Sequence, residues 1–334
     1  MLACILKEPN NIEIQEIPTP APSKGEILVK IKAALTCGTD LKAFKRGHLL
    51  IPMPGVFGHE FSGVVAKIGK GVKKFKEGDK IMAVHSAPCL SCLYCKKGFF
   101  NLCENIMKTK VLGAFAEYIV LPPHIVKQNI FIKPEKLSFE EAAFLEPLSC
   151  VVHGISTLNI KKNNRALIIG GGPIGLLHLL ILKSKGAIVT LIDKHLEKLS
   201  VAKELGADFI YKSESLITPS HNAKYDFIFE CTGRKEVWES SINAVRRGGT
   251  IILFGGCKSG TQVCYDASRL HYDEITLKGV FHFNPSDVKK AYELFSNSRI
   301  NVTPLISGKY TLKNISKAFA KLSRGIGIKY AILP

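Results

Sequence analysis

The first 110 residues alternate short apolar runs with turns bearing glycine and proline. ILVKIKAAL (27–35), FSGVVAKIG (61–69) and KIMAVHS (80–86) carry strand-forming residues, and turn signals such as KEGD (76–79) separate them. That rhythm predicts a β-rich, barrel-like domain. Ser138 followed by Glu141 marks a capping box and the start of a helix. Pro147 lacks a backbone N–H and restricts the residue before it, so the helix is expected to break there, with Glu146 at the break. From residue 165 the pattern changes. RALIIG (165–170) reads as a short buried strand and PIGLLHLLILKSKG (173–186) as a helix. AIVTLID (187–193) is the next strand and KLSVAKELGA (198–207) the next helix. YDFIFECTG (225–233), GTIILFGG (249–256) and EITLKGVF (274–281) add strands. Strands alternating with helices predict an α/β domain with a parallel sheet and right-handed crossovers. Two helical stretches follow residue 285, and KYAIL (329–333) closes the chain as a strand.

A chain of 334 residues suits two domains, each with its own core. Nothing in it approaches the roughly 18 apolar residues of a membrane span. The longest candidate, LLHLLIL (176–182), is short and contains His178. The start, MLACILKEPNN, turns polar too soon for a signal peptide, so a cytoplasmic address is expected. Net charge is +18. Residues 294–334 hold seven basic side chains and no acid, with Lys313, Lys317 and Lys321 on one helix face. Without aromatic interleaving or a nucleic-acid motif this reads as a solvated face, and no nucleic-acid partner is expected.

Gly170, Gly172 and Gly175 form G-x-G-x-x-G, with Pro173 and Ile174 between the last two. The motif follows a predicted strand and opens a helix, the context that gives it meaning. The first glycine permits the turn, the second lets the backbone approach a pyrophosphate, and the third allows close helix–strand packing. The helix N-terminus adds free N–H groups for phosphate. Asp193 ends the next strand, where its carboxylate can accept both ribose hydroxyls and repel a 2′-phosphate. That favours NAD over NADP, although Lys194 and His195 stand beside it. FAD uses a related motif, but no second flavin signature is present.

Four of the ten cysteines, Cys89, Cys92, Cys95 and Cys103, fall within fifteen positions. Disulfides do not suit a reduced compartment, and the spacing fits an iron–sulfur run poorly. Tetrahedral zinc on four thiolates fits best, and such a closed site is structural. A second set is offered by LTCGTD (35–40), GHEFSG (58–63) and LEPLSC (145–150). Cys37, His59 and Glu60, with Glu146 close by, could bind a catalytic zinc and leave a position open. Asp40 could accept the other His59 N–H and fix its tautomer.

Taken together, GVFGHEFSGVVAKIGKGVKKFKEGDKI (55–81), CGTD (37–40), the four-cysteine lobe and the late glycine motif resemble the zinc-dependent medium-chain alcohol dehydrogenases, over essentially the whole chain and in the same order. EPLSCVVHG (146–154) is most similar to the polyol branch, exemplified by sorbitol (L-iditol) dehydrogenase. The resemblance implies a Rossmann NAD-binding domain, residues 151–284, inserted in a GroES-like catalytic zinc domain of residues 1–150 and 285–334. It implies two zinc ions per chain. The catalytic one is carried by Cys37, His59 and Glu60, with Glu146 binding the metal or its water. It implies hydride transfer from a polyol or secondary alcohol to NAD, the zinc acting as Lewis acid. Thr39 is then the first proton acceptor, and Cys231, Thr232 and the LFGG segment with Gly255 line the nicotinamide end. Relatives are homodimers or homotetramers.

Two departures stand out. Lys42 occupies the place where many relatives carry a proton-relaying histidine, so the relay would run through ribose hydroxyls and water or through Lys42. The stretch from Cys103 to Gly113 is short for the family. Alternatives within the family are an L-threonine or a sugar-alcohol-phosphate dehydrogenase, the latter favoured by the positive charge. Zinc-free quinone reductases lack both the GHE set and the cysteine lobe. From another class, a non-catalytic binding protein on this scaffold is the competitor.

Overall fold

The computed structural model describes residues 1–212 and 224–334. The chain divides into two units, one of Met1–Cys150, Phe283–Ser298 and Ile306–Pro334, the other of Val151–His282 and Arg299–Leu305. The first stretch carries β1 (Leu2–Glu8), β2 (Asn11–Glu16), β3 (Ile27–Leu35), α1 (Gly38–Arg46), β4 (Gly55–Val56), β5 (Glu60–Ile68) and β6 (Lys80–Ala83). It continues with α2 (Leu93–Lys96), β7 (Tyr118–Leu121), α3 (Pro123–Gln128), β8 (Ile130–Ile132), α4 (Phe139–Ala142) and α5 (Leu145–Ser156). In β3 only Lys30 and Lys32 reach solvent, while the aliphatic positions around them are buried. That is the signature of a strand with one face on a core and ends covered on both.

The capping box forms as the pattern predicts. The Ser138 hydroxyl accepts the Glu141 N–H at 3.1 Å and the Glu141 carboxylate accepts the Ser138 N–H at 2.8 Å. The helix break lies elsewhere. α4 stops at Ala142 and α5 starts at Leu145, so the break precedes Pro147. Pro147 sits in the first turn of α5, where a missing N–H costs no helical hydrogen bond. Glu146 therefore belongs to that first turn rather than to a break at the proline.

The second unit holds β9 (Arg165–Ile169), α6 (Pro173–Ser184), β10 (Ile188–Ile192), α7 (Leu196–Glu204), β11 (Phe209–Tyr211) and β12 (Tyr225–Glu230). α8 (Lys235–Ser241), β13 (Val245–Leu253), α9 (Ala267–Tyr272) and β14 (Thr276–Gly279) complete it. Its strands form a sheet in the order β11-β10-β9-β12-β13-β14, parallel throughout. This is the doubly wound Rossmann order, in which the order of strand addition reverses beside β9.

α10 (Pro285–Ser296), β15 (Ile306–Thr311), α11 (Ile315–Ser323) and β16 (Lys329–Leu333) return to the first unit. They complete a sheet ordered β15-β16-β3-β5-β6-β8, with β7 also paired to β3. Its core is aromatic. Phe57 lies 5.0 Å from Phe115 and 5.7 Å from Phe319, ring centre to ring centre. Phe319 comes from α11, which buries Ile315, Ala318 and Phe319 on one face and leaves Lys317 in solvent. Lys321 lies over the rings of Tyr310 and Tyr330. Among the described residues no helix is long and apolar enough to cross a membrane.

Candidate active site

Sheet register assembles the first donor set. β3 and β5 pair Leu35 with Glu60, and β16 and β3 pair Ala331 with Leu35. β5 and β6 pair Phe61 with Ala83. Carried past the strand ends, the same register sets Lys329 opposite Cys37, and His59 opposite His85. Residues up to 293 positions apart thus meet at one edge of one sheet.

Cys37 caps α1, its Sγ accepting the Thr39 N–H at 3.4 Å. Donor atoms of Cys37, His59 and Glu60 all lie within 4.8 Å of one another. Asp40, fully buried, places an oxygen 3.3 Å from His59 Nδ1. An Nδ1–H directed at Asp40 would leave Nε2 of His59 free to serve as a metal donor. Burial disfavours a positive charge on His59, but Asp40 and then Cys37 more than offset it and hold the ring well above the usual histidine range. The negative groups that retain a proton there would equally retain a metal cation.

Glu60 is buried with Lys329, whose ammonium donates to Glu60 Oε2 and, at 2.8 Å, to the Thr36 carbonyl. Glu60 Oε1 is buried without a hydrogen-bond partner. A buried carboxylate oxygen so exposed to no donor fits a cation. Burial raises the Glu60 carboxyl above its ordinary value, with Lys329 and His59 opposing. Glu146 stands beside this trio. Its Oε1 lies 3.5 Å from His85 Nδ1 and accepts from Cys150 Sγ at 3.7 Å. Burial, with His59 opposing and Glu60 adding, pushes Glu146 up to about 7. The His85 and His59 rings meet edge to face at 5.1 Å.

Lys329, His85 and Cys150 were not singled out by sequence reasoning. For Lys329 no local signal existed. For His85 one did: it ends the strand segment whose register runs beside GHE.

The sulfur atoms of Cys89, Cys92, Cys95 and Cys103 also lie within 4.8 Å of one another, and all ten cysteines are free thiols. Short elements fold this lobe, with Cys92 at the N-terminus of α2. The Ser91 hydroxyl and Cys92 N–H donate to Cys89 Sγ, both at 3.4 Å, and the Cys89 N–H donates to Cys103 Sγ at 3.3 Å. Hydrogen bonds from Ser91 and Cys92 lower the Cys89 thiol to about 5, whereas burial and the neighbouring thiols push Cys95 to about 12. Four converging sulfurs cannot all ionise without a cation among them.

In the second unit the glycines do what their spacing requires. Gly170 adopts φ +106°, and a Cβ on Gly175 would lie 1.9 Å from the Gly170 carbonyl oxygen. At Gly172, the N-cap of α6 just before Pro173 and Ile174, a Cβ would meet nothing within 4 Å. That opening at a helix N-terminus fits a pyrophosphate. Asp193 accepts the Gly171 N–H at 2.7 Å and the His195 N–H at 2.8 Å, while Lys194 points to solvent. Beyond β12, the Thr232 hydroxyl is turned onto Glu230, whose carboxylate also accepts the Thr232 and Gly233 N–H groups. Burial raises the Glu230 carboxyl, and these donors oppose the shift. A Cβ on Gly255 would strike Gly233 N at 2.2 Å, so the turns after β12 and β13 pack backbone to backbone. Gly170, Asp193, Cys231, Thr232 and Gly255 thus follow the carboxyl ends of parallel strands, where such folds bind ligands. Glu230 was missed, although an acid ending an apolar strand was a signal.

This fold and these donor sets define a zinc-dependent dehydrogenase built on a nucleotide-binding domain. Residues 23–130 match the alcohol dehydrogenase GroES-like domain, and residues 173–297 match the zinc-binding dehydrogenase domain. Bovine sorbitol dehydrogenase is 30% identical, over 99% of this chain and 95% of its own. A structure from Sinorhizobium meliloti, named as a zinc-binding dehydrogenase and bound to NADP, superposes with a TM-score of 0.90 at 28% identity, over 100% of this chain and 99% of its own. Galactitol-1-phosphate dehydrogenase from Escherichia coli superposes with a TM-score of 0.88 at 25% identity, over the whole of both chains. The chain belongs to the zinc-dependent medium-chain alcohol dehydrogenase family. It is an oxidoreductase that uses zinc and NAD(P) on alcohols.

Proposed function

We propose that the chain oxidises a polyol or secondary alcohol with NAD, at a zinc held by Cys37, His59 and Glu60 with Glu146 at its side, while Cys89, Cys92, Cys95 and Cys103 hold a second zinc that folds their lobe. The observation that carries this reading is the convergence of the three donors around a buried, unpartnered Glu60 oxygen. When bound, the zinc supplies Lewis-acid polarisation of the substrate hydroxyl and the nicotinamide supplies the hydride acceptor. Asp40 orients His59. Lys329 holds one Glu60 oxygen and leaves the other for the metal. Thr39, on the first turn of α1 beside Cys37, takes the hydroxyl proton. Both donor sets being complete argues against a non-catalytic protein on this scaffold. A cytoplasmic address and a homo-oligomer remain the expectations from the sequence and the family.

Spectrophotometric NAD reduction across polyols, secondary alcohols, sugar-alcohol phosphates and L-threonine tests the reading. Turnover of a polyol that a chelator abolishes is the expected result. Zinc-loaded protein that turns over none of them refutes it.

Two further outcomes follow. Asp40→Asn weakens zinc binding about 10–100-fold, because an amide polarises the His59 N–H less than a carboxylate does. Competition with a chromogenic chelator reads this directly. Asp193→Ser raises the NADP-to-NAD ratio of kcat/KM by about tenfold or more, which corresponds to removing ~1.4 kcal/mol of discrimination. An unchanged ratio would mean that Asp193 serves only the backbone of the glycine loop.

A further inference from the structure

We propose that the substrate is an anion, a polyol bearing a phosphate monoester, and that Lys42, Arg46 and Lys110 receive its phosphate. The inference rests on the reading that Cys37, His59 and Glu60 mark where the reacting hydroxyl binds. α1 begins at Cys37, and Thr39, Lys42 and Arg46 recur at the spacing of one helix face. A helix rises about 1.5 Å per residue, so Lys42 and Arg46 stand about 5 and 10 Å beyond Thr39 along the axis. Side chains on a helix lean towards its N-terminus, here towards Cys37. Lys110 approaches from the segment after the cysteine lobe. The next residue, Val111, donates its N–H to the His85 carbonyl at 2.8 Å, and Gly113 and Ala114 donate to the Gly58 carbonyl, one residue from His59. The chain that carries Lys110 is therefore tied to both histidine segments of the donor set.

These cations share one neighbourhood. His48, just past the end of α1, feels all three. Burial and then Lys42, Arg46 and Lys110 hold it below its ordinary value, with Asp40 opposing. Among the described residues none of the three cations enters an ion pair. Lys42 and Lys110 are half-buried, and burial depresses the Lys110 ammonium, whose one hydrogen bond goes to the Met107 carbonyl at 3.1 Å. Three positive charges that all act on His48, none of them ion-paired, repel one another, and the nearby Asp40 carboxylate is already turned to His59. A phosphate dianion removes that repulsion and satisfies the unused N–H donors. A neutral polyol does neither. The chemistry at the carbinol is unchanged: its C–H gives hydride to the nicotinamide, its O–H gives up a proton, and the phosphate ester bond stays intact.

The test compares sorbitol with sorbitol 6-phosphate and galactitol with galactitol 1-phosphate, by NAD reduction with zinc-loaded protein. The ester is expected to exceed its neutral parent in kcat/KM by about tenfold or more. The preference shrinks between about 0.01 M and 1 M salt, as the Debye length falls from about 30 to about 3 Å. Arg46→Gln with Lys110→Gln lowers kcat/KM for the ester by about tenfold or more and so abolishes the preference. Equal turnover of ester and parent, or a preference that survives high salt, overturns the anion site while leaving alcohol oxidation standing. Turnover of neither overturns both readings. L-Threonine as the only good substrate would reassign the three cations to a carboxylate and overturn the phosphate proposal.

Discussion

Replacing Lys329 with methionine is expected to lower stability by about 3–5 kcal/mol, the cost of leaving a buried charge without its partner. The two side chains have similar length, so packing changes little. What disappears is the ammonium that donates to Glu60 Oε2 and to the Thr36 carbonyl. Both acceptors are buried, and neither gains another donor from a methionine. The effect reaches further because Thr36 also links the strands: its N–H donates to the Tyr330 carbonyl, and its hydroxyl accepts the Tyr330 N–H. A urea unfolding midpoint, read by circular dichroism, reports the loss. Adding Glu60→Gln to Lys329→Met removes the stranded charge and should recover more than half of it. A single variant within about 1 kcal/mol of the parent would mean that this pair does not hold the sheet edge together.

Cys37→Ser separates two jobs of one atom. The Cys37 side chain caps α1 through the Thr39 N–H and supplies one of three metal donors. Serine is a stronger N-cap than cysteine but a poor ligand for zinc. Stability should therefore hold to within about 1 kcal/mol. Turnover should fall by about a thousandfold or more, since Lewis-acid polarisation is worth several kcal/mol and each 1.36 kcal/mol is tenfold in rate. A variant that keeps its rate would remove Cys37 from the site. A variant that unfolds would show that the metal, not the cap, holds the start of α1.

Local pattern made much of this legible. β3 and the parallel strands β9, β10, β12 and β13 stand out because buried strands read as aliphatic runs. The glycine loop reads from spacing because each glycine answers a separate steric demand. The cysteine lobe reads because its four ligands are local in sequence. β11 and β15 went unseen: one is three residues long, and the other, ISGKYT, is largely polar with a glycine inside. The helix break sits ahead of Pro147 because a proline is easier to place in a first turn than after one. Lys329 was illegible for a different reason. It meets Glu60 only because β16 joins β3 and β3 joins β5, and no local window contains that register. His85 and Glu230 lay within predicted strands, but the partner of His85 came from the first turn of α5 and those of Glu230 from the turn after β12.

The most direct measurement is zinc content per chain, by elemental analysis, taken together with NAD-dependent turnover in the parent, in Cys37→Ser and in Cys92→Ser. The account predicts two zinc ions in the parent. It predicts about one in Cys37→Ser, which stays folded but inactive, and about one in Cys92→Ser, which loses thermal stability through its lobe. A parent that binds a single zinc, or a Cys37→Ser protein that keeps both zinc ions and full turnover, would contradict the assignment of one donor set to chemistry and the other to structure.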